Sequence, residues 1–198
     1  MVAAHAIPTD TTINAAIERI KKKGAGVYYL DSSGKPYTIF PSSIASNKNG
    51  DNVGARMAFG FGGKVKQTSA VAGETSNVMI ASTRPVFYFY LGERKSEGVN
   101  SQQYGALTYP SQFSLIQFKV TKGSREIITG SFGKYSKGSV GLDEKQLVRF
   151  VFKELDEPGF YEVSLNEDLK PDQQYAFIPT ATATYANTSV YDFGIKKK

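Results

Sequence analysis

Cysteine and tryptophan are absent from this chain, and histidine occurs once, at His5. Without cysteine there is no disulfide framework, no thiol nucleophile and no thiolate zinc cluster, and the redox compartment is left open. One histidine cannot build a histidine-rich metal site, and a Ser-His-Asp triad would have to recruit His5 from the N-terminal leader. Long hydrophobic runs are missing as well: no stretch reaches the ~18 apolar residues that a membrane-spanning helix needs. Arginine is scarce, with six residues among 24 cations. That weighs against nucleic acid, which is read mainly through bidentate arginine contacts.

The net charge of +6 is carried by two clusters, Lys21-Lys22-Lys23 and Lys196-Lys197-Lys198. The other 18 cations match the 18 acids, so the body of the chain is neutral. Ala4-His5-Ala6 has the small-x-small spacing of a signal-peptidase site, with no apolar region before it. Two readings stay open: coincidence in a loose leader, or the remnant of an exported precursor cut near its maturation point.

What the chain does have is aromatic residues, 13 Phe and 12 Tyr, which favour strands. The most apolar run is Arg84-Pro85-Val86-Phe87-Tyr88-Phe89-Tyr90-Leu91. As a strand it places Phe87, Phe89 and Leu91 on one face and Val86, Tyr88 and Tyr90 on the other. The expectation is a central strand covered on both faces, entered through Pro85, where proline costs little.

Upstream, Ile13, Ala16, Ile17 and Ile20 recur at helical steps and predict a helix over Asp10–Lys23. Thr9 or Asp10 is placed to cap it, the three lysines suit its C-terminal end, and Gly24 stops it. Val27–Leu30 and Tyr37–Phe40 flank the turn-forming stretch 31–36 and read as a hairpin. Residues 42–52 read as a polar loop. Within it Asn47, Asn49 and Asp51 imitate a calcium loop, but Asn52 replaces its glycine and Ala58 its glutamate, so calcium is rejected. Phe59-Gly60-Phe61-Gly62-Gly63-Lys64 is not a phosphate loop either, since Val65 stands where the metal-binding hydroxyl belongs; a bulge or close strand contact is expected.

Thr68–Glu74 reads as a turn and Asn77–Ala81 as the lead into the central strand. Gly92–Pro110, the longest irregular segment, carries Tyr104 and Tyr109 and is the first place to look for a binding surface. Six strands are expected afterwards: Phe113–Val120, Arg125–Phe132, Leu147–Leu155, Phe160–Leu165, Gln174–Ile178 and Ser189–Ile195. Lys122-Gly123, Gly138 and Pro158-Gly159 are the turn signals between them, and no parallel-sheet pattern is seen.

Leu169-Lys170-Pro171-Asp172-Gln173-Gln174-Tyr175 resembles the Leu-x-Pro-x-x-x-Tyr corner of fibronectin type III domains, which implies that the Tyr175 hydroxyl bonds back to the backbone. That family's core tryptophans have no counterpart here. More widely, 81–195 resembles a group of uncharacterised bacterial proteins, many of them exported. The motifs are Thr83-Arg84-Pro85-x-Phe87-Tyr88-Phe89-Tyr90, Pro110-Ser111-x-Phe113-x-Leu115, Gly123-Ser124-Arg125-Glu126, Pro158-Gly159-x-Tyr161-x-Val163, Pro171-x-x-x-Tyr175-x-Phe177 and Tyr191-Asp192-Phe193-Gly194, with Val27-Tyr28-Tyr29-Leu30 a looser match. The resemblance implies a β-rich fold and an envelope location, and no activity.

The expected fold is therefore mainly β: an antiparallel β-sandwich, Ig/fibronectin-like or related, with one short N-terminal helix. It divides as an arm and helix over 1–24, a sandwich-like domain over 25–195 and a basic tail over 196–198. The carboxylate pairs Asp143/Glu144, Asp156/Glu157 and Glu167/Asp168 are the sole candidates for hydrolytic chemistry, and they fall at strand ends or turns, where acids are normally solvated. No catalytic residue, metal ligand or cofactor is assigned. The functional expectation is a non-enzymatic binding or assembly module of the bacterial envelope or exterior, acting on a protein partner or on itself. Glycan or small-ligand binding is the alternative; nucleic acid and a membrane span are not expected.

Overall fold

The computed structural model describes residues 10–49, 65–92, 107–133, 136–180 and 189–197. Helix α1 spans Asp10–Lys23, as its apolar spacing requires. Ala16, Ile17 and Ile20 are buried against Tyr28, Leu30, Tyr88 and Phe160. Gly24 ends the helix with φ 96°, and its N–H reaches the Ile20 and Lys21 carbonyls at 3.1 and 3.2 Å. Two side chains pin that end down. The Tyr28 hydroxyl donates to the Gly24 carbonyl at 2.6 Å, and Lys23 Nζ donates to the Pro36 carbonyl at 3.1 Å. Thr9, one of the two expected caps, lies outside the described residues.

Strands follow in the order β1 (Gly26–Leu30), β2 (Pro36–Ile39), β3 (Pro41–Asn49), β4 (Val65–Ala72), β5 (Met79–Ile80), β6 (Phe87–Tyr90), β7 (Phe113–Gln117) and β8 (Lys119–Thr121). After them come β9 (Ser124–Gly133), β10 (Ser136–Val140), β11 (Leu147–Val148), β12 (Phe150–Glu154), β13 (Phe160–Leu165), β14 (Gln174–Pro179) and β15 (Ser189–Ile195). The protein is mainly β, with antiparallel sheets and one α-helix among the described residues.

The first sheet runs β12-β13-β6-β1-β2. The expected central strand, β6, sits in its middle. Phe89 lies opposite Val27 on one side and Tyr161 on the other, and Phe87 opposite Tyr29 and Val163. These side chains share a core with Phe113, Leu115, Tyr175, Phe177 and Phe193 of the second sheet. The opposite face of β6, with Tyr88 and the half-buried Tyr90, is the one α1 covers. Both faces of the run are therefore protected, by different partners.

The second sheet runs β10-β9-β4-β3-β15-β14-β7-β11 and curls into a half-barrel, because β8 returns to pair with β9. Its curl has local causes. Ala45 is an extra residue between the pairs Ile44↔Val71 and Ser46↔Ala70, and Thr129 between Gln67↔Gly130 and Thr68↔Ile128. Such bulges sharpen twist and bend the strand. Inside the curl lies another core of Ile44, Val71, Ile116, Phe118, Ile127, Ala176, Ile178 and Val190. Strand β14 serves both cores, sending Tyr175 and Phe177 one way and Ala176 and Ile178 the other.

Four expectations are corrected. Residues 42–52 are not a loop throughout: Pro41–Asn49 is β3, whose pairing with β15 and β4 holds a mostly polar segment extended. Thr68–Glu74 is not a turn, since β4 continues to Ala72 and Gly73, with φ 81°, makes the corner. Gly138 is inside β10 rather than between strands, in an irregular ladder with β9. Phe113–Val120 and Leu147–Leu155 are not single strands: they break at Phe118 and Arg149 into β7 and β8 and into β11 and β12, whose halves pair with different partners. Residues 51–58 and the glycine-rich 59–64 lie outside the described residues, with Tyr104 and His5.

The tyrosine corner is present as bond geometry. The Lys170 N–H donates to the Tyr175 hydroxyl oxygen at 2.9 Å, and Asp172 between them takes the left-handed conformation at φ 61°. Tyr175→Phe keeps the ring stacked on Phe193 but strips an acceptor from Lys170. The expected cost is about 1–2 kcal/mol, read as a lower urea midpoint at unchanged slope; an unchanged midpoint would mean the hydroxyl is dispensable.

Candidate functional site

The densest polar cluster is buried. Arg125 of β9 and Asp192 of β15 are 3% exposed each and pair at 2.9 Å. Arg125 also donates to the carbonyls of Gly73, at 3.2 Å, and Thr75. Asp192 accepts from the Ser42 hydroxyl, and its carbonyl accepts from Ser76 Oγ at 2.8 Å. The Ser76 N–H in turn donates to Gln174 Oε1 at 2.8 Å. Burial pulls the Arg125 pKa down while Asp192 works the other way; among the described residues Arg125 Nε has no hydrogen-bond partner, and the guanidinium Cζ lies over the Phe118 ring at 5.8 Å.

Every named member of this cluster is committed to joining strands. It ties β9, the corner after β4, β3 and β15 together, which is the stretch of sheet that curls. We read it as a structural latch rather than a reactive centre. Asp192→Asn leaves a guanidinium buried without its counter-charge, at a cost of about 3–5 kcal/mol, and the apolar pair Arg125→Met/Asp192→Leu recovers only part of that loss, because the Gly73 and Thr75 carbonyls and the Ser42 hydroxyl lose their partners. Urea denaturation of both variants checks this; equal stability of Asp192→Asn and the parent would remove the latch from the argument.

The surface feature that stands out is a lateral edge. Leu147–Val148 pairs with β7 of the second sheet, and Phe150–Glu154 pairs with β13 of the first. One short segment, 147–154, thus borders both sheets. Its inward residues do core work: Phe150 lies 5.7 Å from the Phe177 ring and Phe152 6.1 Å from Tyr161. Its outward surface is mixed: exposed Arg149, Lys153 and Glu154 stand among exposed apolar side chains, and Phe152 keeps an exposed edge. Val151 is 54% exposed, Leu147 and Phe152 40% each. Beside them Tyr109, at 37%, also lies 6.1 Å from Tyr161.

The two ends of the first sheet are unlike. Strand β2 opens with Pro36 and passes within two residues into β3, which shortens the edge on offer. Strand β12 contains no proline and no register shift in its ladder. Its lysine, Lys153, pairs with its register partner Glu162 at 3.3 Å while remaining largely exposed. Charge, proline and bulges are the usual guards of an edge strand. Here proline and bulges are absent, and Arg149, Lys153 and Glu154 supply the charge.

Two open clefts of about 500 Å3 flank these elements. One lies at the corner between β2 and β3, under the 70%-exposed Phe40, with Tyr28, Pro41 and Tyr191 in its wall. The other lies at the β7–β8 bend and is lined chiefly by lysine and glutamine.

Of the carboxylates singled out in the sequence, Asp143 caps the short 3-10 turn Glu144–Gln146 by accepting from the Lys145 N–H and meets Lys66 at 3.4 Å. That backbone bond, then Lys66, holds its carboxyl below the usual carboxylate range. Glu157 pairs with Lys21 of the helix, and Asp168 lies 3.9 Å from Arg84. Glu144, Asp156 and Glu167 are exposed. Among the described residues no group of three or more metal-ligating side chains forms, and no helix is long and apolar enough to cross a membrane.

Tyr109, from the segment expected to be the first place for a binding surface, lies beside this edge. Leu147 and Val151 were not singled out, and Phe152 reads by alternation with Val148 and Phe150 as a core-facing residue, since sequence alone does not say that the strand lies at an edge. Comparison with protein-family models, with curated proteins and with solved structures finds no match.

Proposed function

We propose that this protein is a non-enzymatic binding and assembly module of sandwich-like build that joins a second copy of itself, strand to strand, along the β12 edge. The observation that carries the reading is segment 147–154, which has no proline and, among the described residues, no strand beyond β12, with Val151, Leu147 and Phe152 exposed. Main-chain pairing across such an edge supplies affinity, and the alternating side chains supply register.

Self-pairing also has one favoured register, because centring on Phe152 alone pairs all five residues of β12 and opposes no like charges. Two antiparallel copies related by a two-fold axis perpendicular to the sheet must centre on a residue. Centring on Val151 sets Arg149 opposite Lys153, and centring on Lys153 sets that lysine opposite itself; like charges directly opposed are unfavourable. Centring on Phe152 sets Phe152 against Phe152, Val151 against Lys153 and Phe150 against Glu154. An exported or envelope setting, implied by the bacterial resemblance, would suit a module of this kind, and it is part of the proposal.

The chain has no cysteine, so a single introduced thiol reports the contact. The expected results are a mass that rises to twice 21.6 kDa with concentration, loss of that rise in Val151→Lys, and an interchain disulfide in Phe152→Cys under mild oxidation. Light scattering and non-reducing gels read all three. A monomer at every concentration up to millimolar, with no cross-link, would sink the proposal.

A second reading, neutral glycan binding, has its own observation in the Phe40–Tyr191 cleft, where an exposed ring borders an open cavity. Retardation in a polysaccharide affinity gel, abolished by Phe40→Ala, is its expected signature.

A further inference from the structure

We infer that the cleft at the β7–β8 bend is a binding site for an acidic saccharide, a ligand that combines carboxylates with hydroxyl groups. Its inference stands on a different surface from the β12 edge and does not depend on it. The cleft is lined by Gln117, Phe118, Lys119, Val120, Lys145, Gln146, Lys170 and Gln173. Three lysines arrive from three elements: Lys119 from β8, Lys145 from the 3-10 turn before β11, and Lys170 from the corner before β14. All three are exposed, and none takes part in an ion pair among the described residues.

Two acids lie near, Glu126 as the register partner of Lys119 and Asp143 attracting Lys145, but neither lines the cleft. Asp143 is engaged by Lys66 and the Lys145 N–H, and Glu126 accepts from Thr121. Glu144 and Asp172 are exposed but do not line the cleft.

Between the lysines lies a bed of carboxamides held in place. Gln146 is buried, accepting from the Ile128 N–H at 2.8 Å and donating to the Gln117 carbonyl at 3.0 Å. Gln117 Nε2 donates to Gln173 Oε1 at 3.0 Å, which leaves its own Oε1 unused among the described residues. Gln146, with its second N–H on the Glu126 carbonyl, is a fixed floor, and what Gln117 leaves for a ligand hydroxyl is its Oε1 and its second N–H. Val120, 41% exposed, adds an apolar patch fit for the C–H face of a sugar ring.

The width argues for more than a simple anion. A cleft of about 500 Å3 falls in the range of small-molecule sites and far exceeds one phosphate. Nucleic acid is disfavoured by the lining, which has no arginine and no exposed aromatic ring for base stacking.

Calorimetry on the full chain, with trigalacturonate, its methyl ester and inorganic phosphate as probes, tests the site. Trigalacturonate is expected to bind, more weakly as salt rises, and at least tenfold more weakly to Lys119→Ala/Lys170→Ala. Those side chains are exposed, so folding is expected to be unaffected; should that variant melt early, Lys145→Glu reads the same cleft from another element. Val151→Lys is expected to bind as the parent does. Absence of binding, equal binding of the methyl ester or of phosphate, or affinity unchanged in the lysine variants would overturn the assignment.

Discussion

The structure depends first on burying Phe87 and Phe89. Their rings meet Phe177 edge to face, both at 5.0 Å, and reach Phe193 at 4.8 Å and Phe113 at 5.2 Å. Each such side chain contributes about 1.5–3 kcal/mol by leaving water, with a further increment from ring geometry. The rest follows from where that burial leaves the neighbours. A strand that faces one sheet with phenylalanines and carries Tyr88 and Tyr90 behind needs a second cover. Helix α1 supplies it, and this is why the helix is docked on the sheet.

The second constraint is polar. The half-barrel must turn its strands around Ile116, Ile178 and Val190, and bulges at Ala45 and Thr129 bend the ladder. A bend opens backbone groups at the corner 73–78. Arg125 collects two of those carbonyls and is itself neutralised by Asp192, while Ser76 and Gln174 serve the remainder. An apolar substitute at Arg125 could fill the space without replacing those acceptors' partner. Gly194 follows Asp192 by two residues, and a Cβ there would lie 2.6 Å from Gln174 Nε2, so that the motif Tyr191-Asp192-Phe193-Gly194 is packed to backbone contact.

What the sequence disclosed follows from the range of the forces involved. Helix α1, the β1–β2 hairpin, β13 and β15 are legible because periodicity and turn chemistry are local. Strand β3 was hidden because Ser42 and Ser43 carry no alternation; pairing with β15 and β4 makes it a strand, and those partners are far away in the chain. The Arg125–Asp192 pair joins residues 67 apart in sequence, and no local spacing marks it. The motifs Gly123-Ser124-Arg125-Glu126 and Tyr191-Asp192-Phe193-Gly194 each contained one partner, with nothing to say they meet. Likewise Leu147, Val151 and Phe152 have the composition of a covered strand, and only topology reveals that β12 is last in its sheet.

That ambiguity has physical content. Strand β6 is apolar on two faces and has α1 behind it, whereas β12 sends Phe150 and Phe152 to one face and Val151 and Lys153 to the other. The β2 end exposes apolar rings too, Tyr37 and Phe40, so exposure alone does not set β12 apart. What differs is the backbone: β2 begins with proline and is consumed within two residues by the crossing to β3, whereas segment 147–154 stays extended across both sheets with Tyr109 beside it. Exposed apolar area at a strand that needs only another strand to complete it is a cost to an isolated monomer, in solubility and in unpaired backbone. Such a cost is most simply offset by a partner that completes the ladder, and the like-charge clashes at Val151- and Lys153-centred pairings narrow that partner's register to Phe152.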